Sequence, residues 1–358
     1  MPCRTYLKRN CLSPFLAVGW AVNWSWLSII GLLACARGFS AETPAVDQNA
    51  FSIGEPVSHF GCCDASAGVA VSSNLFIMAN DEDNLLRVYN RERPGSYVQS
   101  FAAGSFLRVD PRKPEADIEG AARDGDRIYW ITSHGRNRSG EARESRHRFF
   151  ATTFRLNAQG RVELKAIGQP YIRLLNDLLI EPRLSKFKLP AASSRAPKDQ
   201  GGLNIEGLCT TTNGQLLIGF RNPIPDERAL LVPLQNPAEL LTGRRAKFGD
   251  PILLDLGGLG VRDLAWSNGR CLIIAGPYDG KGHFHLYDWD GHSPAPRKIP
   301  DTHFRGLNPE ALLAYPGAPA NEFQILSDDG TRKMAGEDCK KLIDPARKSF
   351  RSFWIRLN

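Results

Sequence analysis

Three short phrases of this chain repeat one another: Asp117-Ile118-Glu119-Gly120, Asn204-Ile205-Glu206-Gly207 and Asn308-Pro309-Glu310-Ala311. Each sets Asp or Asn two residues ahead of Glu, then a small residue, then an apolar pair (Ala121-Ala122, Leu208-Cys209, Leu312-Leu313). Residues two apart on a strand point to the same side. Strands that begin at a common place would therefore gather these oxygens. Carboxylates crowded in a low dielectric raise one another's pKa unless a cation joins them. Calcium takes such carboxylate, carbonyl and water oxygens. Glu119, Glu206 and Glu310 are the candidate metal ligands, and a divalent cation such as calcium is the expected cofactor. Arg262-Asp263 stands at the matching place of a fourth segment.

The most polar runs are Asn80-Asp81-Glu82-Asp83, Ser133 to Arg138, Arg221-Asn222-Pro223, Tyr278 to His283 and Ser327-Asp328-Asp329-Gly330. Arginine there suits phosphate or carboxylate oxygens. The candidate ligand-binding residues are Arg136, Asn137, Arg221, Asn222, Arg262, Asp279, Asp328 and Asp329. Candidate catalytic groups are His134, as a general base, and Asp263. Blander roles compete with these. A Glu opening an inner strand can simply accept backbone N–H bonds from its neighbour. Asp-Gly and Asn-Gly pairs make turns, and the arginine-rich run 136–148 suits a solvated hairpin. His283 and His285 lack an evident third ligand. No GxSxG, Walker-type or HExxH motif occurs.

These groups need a scaffold, and the apolar runs supply one. Second strands are expected at Leu75–Met78, Ile128–Ile131, Leu216–Gly219, Cys271–Ile274 and Phe323–Leu326. Third strands follow at Leu86–Tyr89, Phe149–Leu156, Ala229–Leu234, Phe284–Trp289 and Ser352–Leu357. Asp124-Gly125, Asn213-Gly214 and Asn268-Gly269 mark tight hairpins. First-strand anchors fall at Ala67, Glu119, Glu206, Arg262 and Glu310, at intervals of 52, 87, 56 and 48 residues. A period near fifty with three or four strands per unit predicts an all-β fold, a β-propeller of five or six blades with short helical insertions. The propeller spans 51–358. The long interval holds a helical insertion near 167–200, where a hidden sixth unit could also lie. A polar second insertion is expected at 335–348. Phe51–Phe60 is expected to add an outer strand to the last blade and close the ring. A pair of β-sandwiches would explain the alternation but not the repeated acidic phrase.

The chain has 358 residues, 42% hydrophobic and 23% charged, with 33 Gly and 24 Pro, as in a turn-rich globular protein. Its net charge of +7 includes Arg4, Lys8, Arg9 and Arg37 in an acid-free N-terminus. The rest carries too weak a basic bias for a nucleic-acid footprint. Those N-terminal charges precede an apolar stretch from Phe15 to Cys35 and a small-residue zone, so 1–41 reads as a signal peptide or membrane anchor. Lipidation at Cys35 is a further alternative. The expected location is exported, periplasmic or secreted, with membrane contact only through this segment. Cys209 and Cys271 sit in apolar strands and should be buried thiols. Cys62 or Cys63 would pair with Cys339 if the chain ends meet.

The runs Trp130 to Asn137, Gly202 to Leu208, Gly219 to Pro223, Leu259 to Ala265 and Leu326 to Gly330 resemble a bacterial family known as domain of unknown function 3616. The resemblance spans roughly residues 60–357. It implies a propeller akin to phytase-like and esterase-like propellers, and no established activity. Ala67 departs from the pattern by standing where the glutamates stand in other units. The expected function is binding of a small anionic or polar ligand at the channel mouth of an exported monomer. Metal-dependent hydrolysis of a phosphate or carboxylic ester is its enzymatic form. The alternative is a non-catalytic binding or scaffold propeller of the cell envelope.

Overall fold

The computed structural model describes residues 51–300, 304 and 306–357. The segment read as a leader lies outside them. Five antiparallel sheets follow one another along the chain. The first contains Ala67–Ala70, Leu75–Ala79, Leu85–Asn90 and Gln99–Ala102. The second contains Ile118–Asp124, Arg127–Thr132, Phe149–Leu156 and Val162–Tyr171. Asn204–Thr210, Leu216–Asn222, Ala229–Leu234 and Ile252–Leu254 make the third, and Gly260–Ser267, Arg270–Gly276, His285–Trp289 and Arg297–Lys298 the fourth. Pro309–Leu313, Glu322–Ser327 and Ser349–Leu357 begin the fifth. Phe51–Ile53 and Val57–Phe60 complete it by pairing with Ser349–Leu357, from Phe51 opposite Leu357 to Phe60 opposite Ser349.

The inner strands pack side by side in chain order, and Pro309–Leu313 returns to Ala67–Ala70. The fold is therefore a five-bladed β-propeller, closed by its own first strands as expected. Second strands such as Leu75–Ala79 and Leu216–Asn222 are buried along their whole length. That burial explains why they read as unbroken apolar runs rather than alternating ones. Neighbouring blades cover one another's faces: Tyr129, Ile131 and Phe149 of the second blade share a core with Ile205, Ile218 and Phe220 of the third. Each blade's exposed apolar face is thus removed from water by the next, at roughly 25 cal/mol per Å².

The 87-residue interval holds no sixth blade. Its first part is the long outer strand Val162–Tyr171, so the helical segment starts later than expected, at Leu174. Residues 167–171 stay extended through a bulge that lets Tyr171 pair with Phe149. At that bulge Gly168 has φ 63°, and a Cβ would come 2.5 Å from the Leu241 carbonyl oxygen. Leu174–Ile180, Pro182–Phe187 and Leu189–Ala192 then form short helices. Leu174, Leu178, Leu184, Phe187 and Leu189 are buried against the core between the second and third blades. Asp177 anchors the first helix by accepting from the Tyr171 hydroxyl and the Ala246 amide. The 335–348 insertion turns at 335–336, pairs the short strand Glu337–Asp338 with Lys333–Met334, and continues in two short 3-10 segments, Cys339–Lys341 and Pro345–Arg347. Cys63, rather than Cys62, pairs with Cys339, with Cα atoms 5.9 Å apart. Cys62, Cys209 and Cys271 are buried thiols. Among the described residues, no helix is long and apolar enough to cross a membrane.

Candidate functional site

The acidic phrase marks a backbone device. In four inner strands the ladder slips at the same place: between Ile118 and Gly120, Ile205 and Gly207, Val261 and Asp263, and Pro309 and Ala311. The residues passed over are Glu119, Glu206, Arg262 and Glu310. A bulge leaves its extra residue out of the ladder and re-aims its side chain. The small residue that follows is forced by close packing of the inner strands. A Cβ on Gly120 would lie 2.8 Å from the Glu206 carbonyl oxygen, and one on Gly207 would run into Leu264. Lower down, the channel narrows to a cavity of about 110 Å³ lined by Gly68, Ala121, Leu208, Leu264 and Leu312, among others. Charge is concentrated above it.

One side of this mouth is neutralised. Arg262, only 4% exposed, sets Nη1 3.0 Å from Glu206 Oε2 and Nη2 against Glu310. Arg221 donates Nη1 to Glu206 Oε1 at 2.7 Å, and Asn204 donates its amide to the same oxygen at 2.7 Å. Burial and then the Arg221 charge press the Arg262 guanidinium down to about 10, against the pull of Glu206 and Glu119. Lys198 completes the cationic side. A Cβ built on Gly280 would lie 3.4 Å from Arg221 Nη2 and 3.9 Å from Lys198 Nζ. Crowding by protein, and then Arg221 and Arg262, lower the Lys198 ammonium from its ordinary range, although the residue as a whole is exposed. The Arg221 Nε, buried, has no hydrogen-bond partner among the described residues.

The other side is acidic. Asp81, Asp117 and Glu119 offer oxygens within 4.8 Å of one another, and Asp64, Asp81 and Glu82 form a second such group. At an effective dielectric of about 20, two unit charges that far apart repel by about 3 kcal/mol. Asp117 pairs with Arg146 at 2.8 Å, and Glu82 with Lys340 at 2.8 Å. Asp64, Asp81, Glu119 and Asp328 form no ion pair among the described residues. Burial, then Asp64, Asp328 and Asp117, drive the Asp81 carboxyl well above the carboxylate range. Burial, then Asp117, Glu206 and Asp81, do the same to Glu119. Asp64 rises to about 8 through burial and the Asp328 charge. Asp117 rises to about 6 through burial, opposed by Arg146 and Ser133. Asp81 Oδ1 is shut off from water and lacks any hydrogen-bond partner among the described residues. Asp117 also holds φ 62°, a left-handed backbone that non-glycine residues adopt at a cost. These acidic clusters are able to hold a metal ion.

The expected site residues thus divide. Glu119 joins an acidic group, whereas Glu206 and Glu310 belong to neither and take Arg262 between them. The three glutamates do not form one ligand sphere, because the arginine in the fourth blade claims its two neighbours. Asp263 has a structural role. It occupies the small-residue slot, and its Oδ2 accepts the Leu312 amide of the next blade at 2.7 Å, while its buried Oδ1 has no hydrogen-bond partner among the described residues. His134 is 1% exposed, with Nδ1 2.7 Å from the Thr132 carbonyl oxygen and its ring stacked on His147. Burial lowers it to about 3, so it is a neutral packing residue rather than an accessible base.

Arg136 ties its loop to the helical insertion through the Ser193 carbonyl at 2.8 Å. Asn222 holds the same insertion by donating to the Pro197 and Asp199 carbonyls at 2.9 and 2.7 Å. Asn137 and Asp279 shape their own loops through Glu141 and Lys281 amides. Asp329 is spent on Arg351, at 2.7 Å to each oxygen. Asp328 lies beside Asp64 and accepts the Gly330 amide at 2.8 Å. Lys198, Arg146, Lys340 and Asp64 were missed as site residues. Asp81 and Glu82 stand in the polar runs and Asp117 opens a repeated acidic phrase, but none of the three is among the expected metal ligands. Asp64 and Lys340 each follow a cysteine of the disulfide, a signal that becomes legible once the pairing is known.

No curated protein matches the chain in sequence. Among solved structures, the glutaminyl cyclase of Myxococcus xanthus aligns with TM-score 0.43 and 12% identity, over 86% of this chain and 97% of its own. The PQQ-bound aldose sugar dehydrogenase of Streptomyces coelicolor aligns with TM-score 0.44 and 10% identity, over 86% and 98%. A putative glucose dehydrogenase of Thermus thermophilus aligns with TM-score 0.42 and 12% identity, over 85% and 100%. The family model described as protein of unknown function (DUF3616) matches residues 64–159 and 152–311, and the chain belongs to that family.

Proposed function

We propose that the channel mouth binds a small anionic ligand together with a divalent cation, in an exported protein. The observation that carries this reading is the Asp81–Asp117–Glu119 group, whose oxygens lie within 4.8 Å of one another and whose Asp81 Oδ1 is buried without a donor. An all-oxygen set of this kind suits calcium. Asp81, Asp117 and Glu119 hold the cation, with Asp64 and Glu82 beside them. Arg221 and Lys198 face the anion from the cationic side, and Arg262 fixes Arg221's partner Glu206. A divalent cation bound there supplies a Lewis acid for hydrolysis of a phosphate or carboxylic ester, and the arginines would stabilise charge developing on the leaving oxygens. The Cys63–Cys339 disulfide supports export to the periplasm or beyond, since such bonds persist in oxidising compartments.

A non-catalytic binding propeller is the second reading. It is favoured by the burial of His134 and by the commitment of one Asp263 oxygen to the Leu312 amide. Calorimetric titration with calcium, followed by inorganic phosphate, tests the binding that both readings share. Micromolar calcium binding that disappears in Asp81→Asn/Glu119→Gln supports it, and unchanged binding in that variant sinks it. Turnover of p-nitrophenyl phosphate or p-nitrophenyl acetate by the calcium-loaded protein, lost in the same variant, separates enzyme from binding module.

A further inference from the structure

Beside the cationic half of the mouth lies a cavity of about 530 Å³, walled on its apolar side by Phe187, Pro223, Ile224, Leu253 and Tyr278. Sites for small organic ligands span roughly 300–1,000 Å³ and are lined mainly by such side chains. The cavity shares its loops with the cationic cluster. Its lining residue Asn222 directly follows Arg221, Gln200 and Gly201 follow Lys198, and Tyr278 precedes the Gly280 turn against which Arg221 and Lys198 lie. Arg221 is 5% exposed, and its Nε has no partner among the described residues. The rim is strained. Lys188, Asp226 and Glu227 hold φ values of 53°, 50° and 57°, three of the eight left-handed non-glycine residues described. Such strain persists where a surrounding structure holds it, commonly at ligand clamps.

We infer that the ligand is an anion carried on an apolar or aromatic body of ring size, with its charged head at Arg221 and Lys198 and its body in this cavity. The inference rests on the anion-binding reading of the mouth and adds the chemical class of what binds there. A bare inorganic anion would leave the cavity unfilled. A body lacking charge would leave the paired cations Arg221 and Lys198 with Glu206 as the one carboxylate in contact with Arg221 among the described residues. Burying one ring against Phe187, Ile224 and Tyr278 should strengthen binding about tenfold or more.

The test uses the calcium-loaded full chain and compares methyl phosphate with phenyl phosphate, and acetate with phenylacetate, by calorimetry. Tighter binding of the phenyl member in either pair by about tenfold supports the inference, and the pair that shows it identifies the head group. Ile224→Trp fills part of the cavity and should reduce that preference to near unity while leaving methyl phosphate or acetate binding unchanged. Tyr278→Ala, which opens the wall instead, should lower the preference several-fold and serves if the tryptophan variant misfolds. Equal binding of the two members of both pairs, or a preference that survives these variants, overturns the cavity assignment while leaving the mouth reading intact. Failure of all four anions to bind overturns both.

Discussion

Cation binding at the acidic half of the mouth must expel protons, and the number can be worked from the site. At pH 7 a carboxyl with a pKa of about 8, as for Asp64, is roughly nine-tenths protonated, and one at about 6, as for Asp117, roughly one-tenth. Asp81 and Glu119 are both pushed well above the carboxylate range and add up to one proton each. A calcium ion entering this group should therefore displace roughly one to three protons at pH 7. Calorimetric titrations in phosphate-free buffers of different ionisation enthalpy measure that number as the slope of apparent enthalpy against buffer enthalpy. Apparent affinity should rise with pH between 6 and 8 at the matching slope. The Glu119→Gln variant should release fewer protons and bind more weakly. Calcium binding without proton release would refute the reasoning, because it would mean either that the carboxylates are already ionised or that the ion sits elsewhere.

The metal-free protein should lose stability as pH rises. Asp64 and Asp117 bind protons more tightly folded than unfolded, so stability is greatest below about pH 4 for these groups and declines through about pH 8, as thermal melts with and without calcium would register. Arg262→Met strips the counter-charge from buried Glu310 and leaves Glu206 with Arg221 alone, and should cost about 3–5 kcal/mol in denaturant unfolding, whereas adding Glu310→Gln should restore part of it. Asp263→Ala leaves the buried Leu312 amide without its acceptor and should cost about 1–3 kcal/mol, with no change in calcium affinity. Reducing Cys63–Cys339 releases a 276-residue loop and should cost up to about 5 kcal/mol. It should also weaken calcium binding, because Asp64 and Lys340 are the next residues along.

The strands were legible because each second strand is buried on both faces and reads as an apolar run, as in Leu216–Asn222. The blade boundaries were legible because the bulge and its close inter-strand packing demand the same Glu-small signature. Glu119-Gly120 and Glu206-Gly207 carry it for a backbone reason before any chemical one. The helical insertion expected near 167–200 starts later, at Leu174, because residues up to Tyr171 remain paired with Phe149–Leu156 across the bulge. The charge pairing was not legible. Which base neutralises Glu206 depends on Arg221 one strand away and on Arg262 one blade away, and neither separation has a sequence period. Asp263 misled for a related reason. Its carboxylate replaces a small residue at a crowded slot, and only the neighbouring blade reveals that the Leu312 amide takes one of its oxygens.

The ring's asymmetry has a physical cause that can be followed blade by blade. Four blades present a bulged side chain at the mouth, and three of these are glutamate. An arginine in the fourth blade has neighbours in the third and fifth, so Arg262 reaches Glu206 on one side and Glu310 on the other. Glu119 in the second blade is not its neighbour, and its own neighbour in the first blade is Ala67, which offers no charge. Asp81, on the loop after the first blade's second strand, comes within 4.8 Å of Glu119 and adds a carboxylate where a base would have balanced the site. Arg262, with Arg221 and Lys198 beside it, thus divides what would have been a uniform carboxylate ring into a cationic side and a side with surplus negative charge. Moving the arginine to another blade would change which glutamates are quenched, and with it the place where a cation could bind. The repeated acidic phrase therefore marks the bulge, while the arginine of the fourth blade, reaching Glu206 and Glu310, helps decide which of the resulting carboxylates stay unpaired.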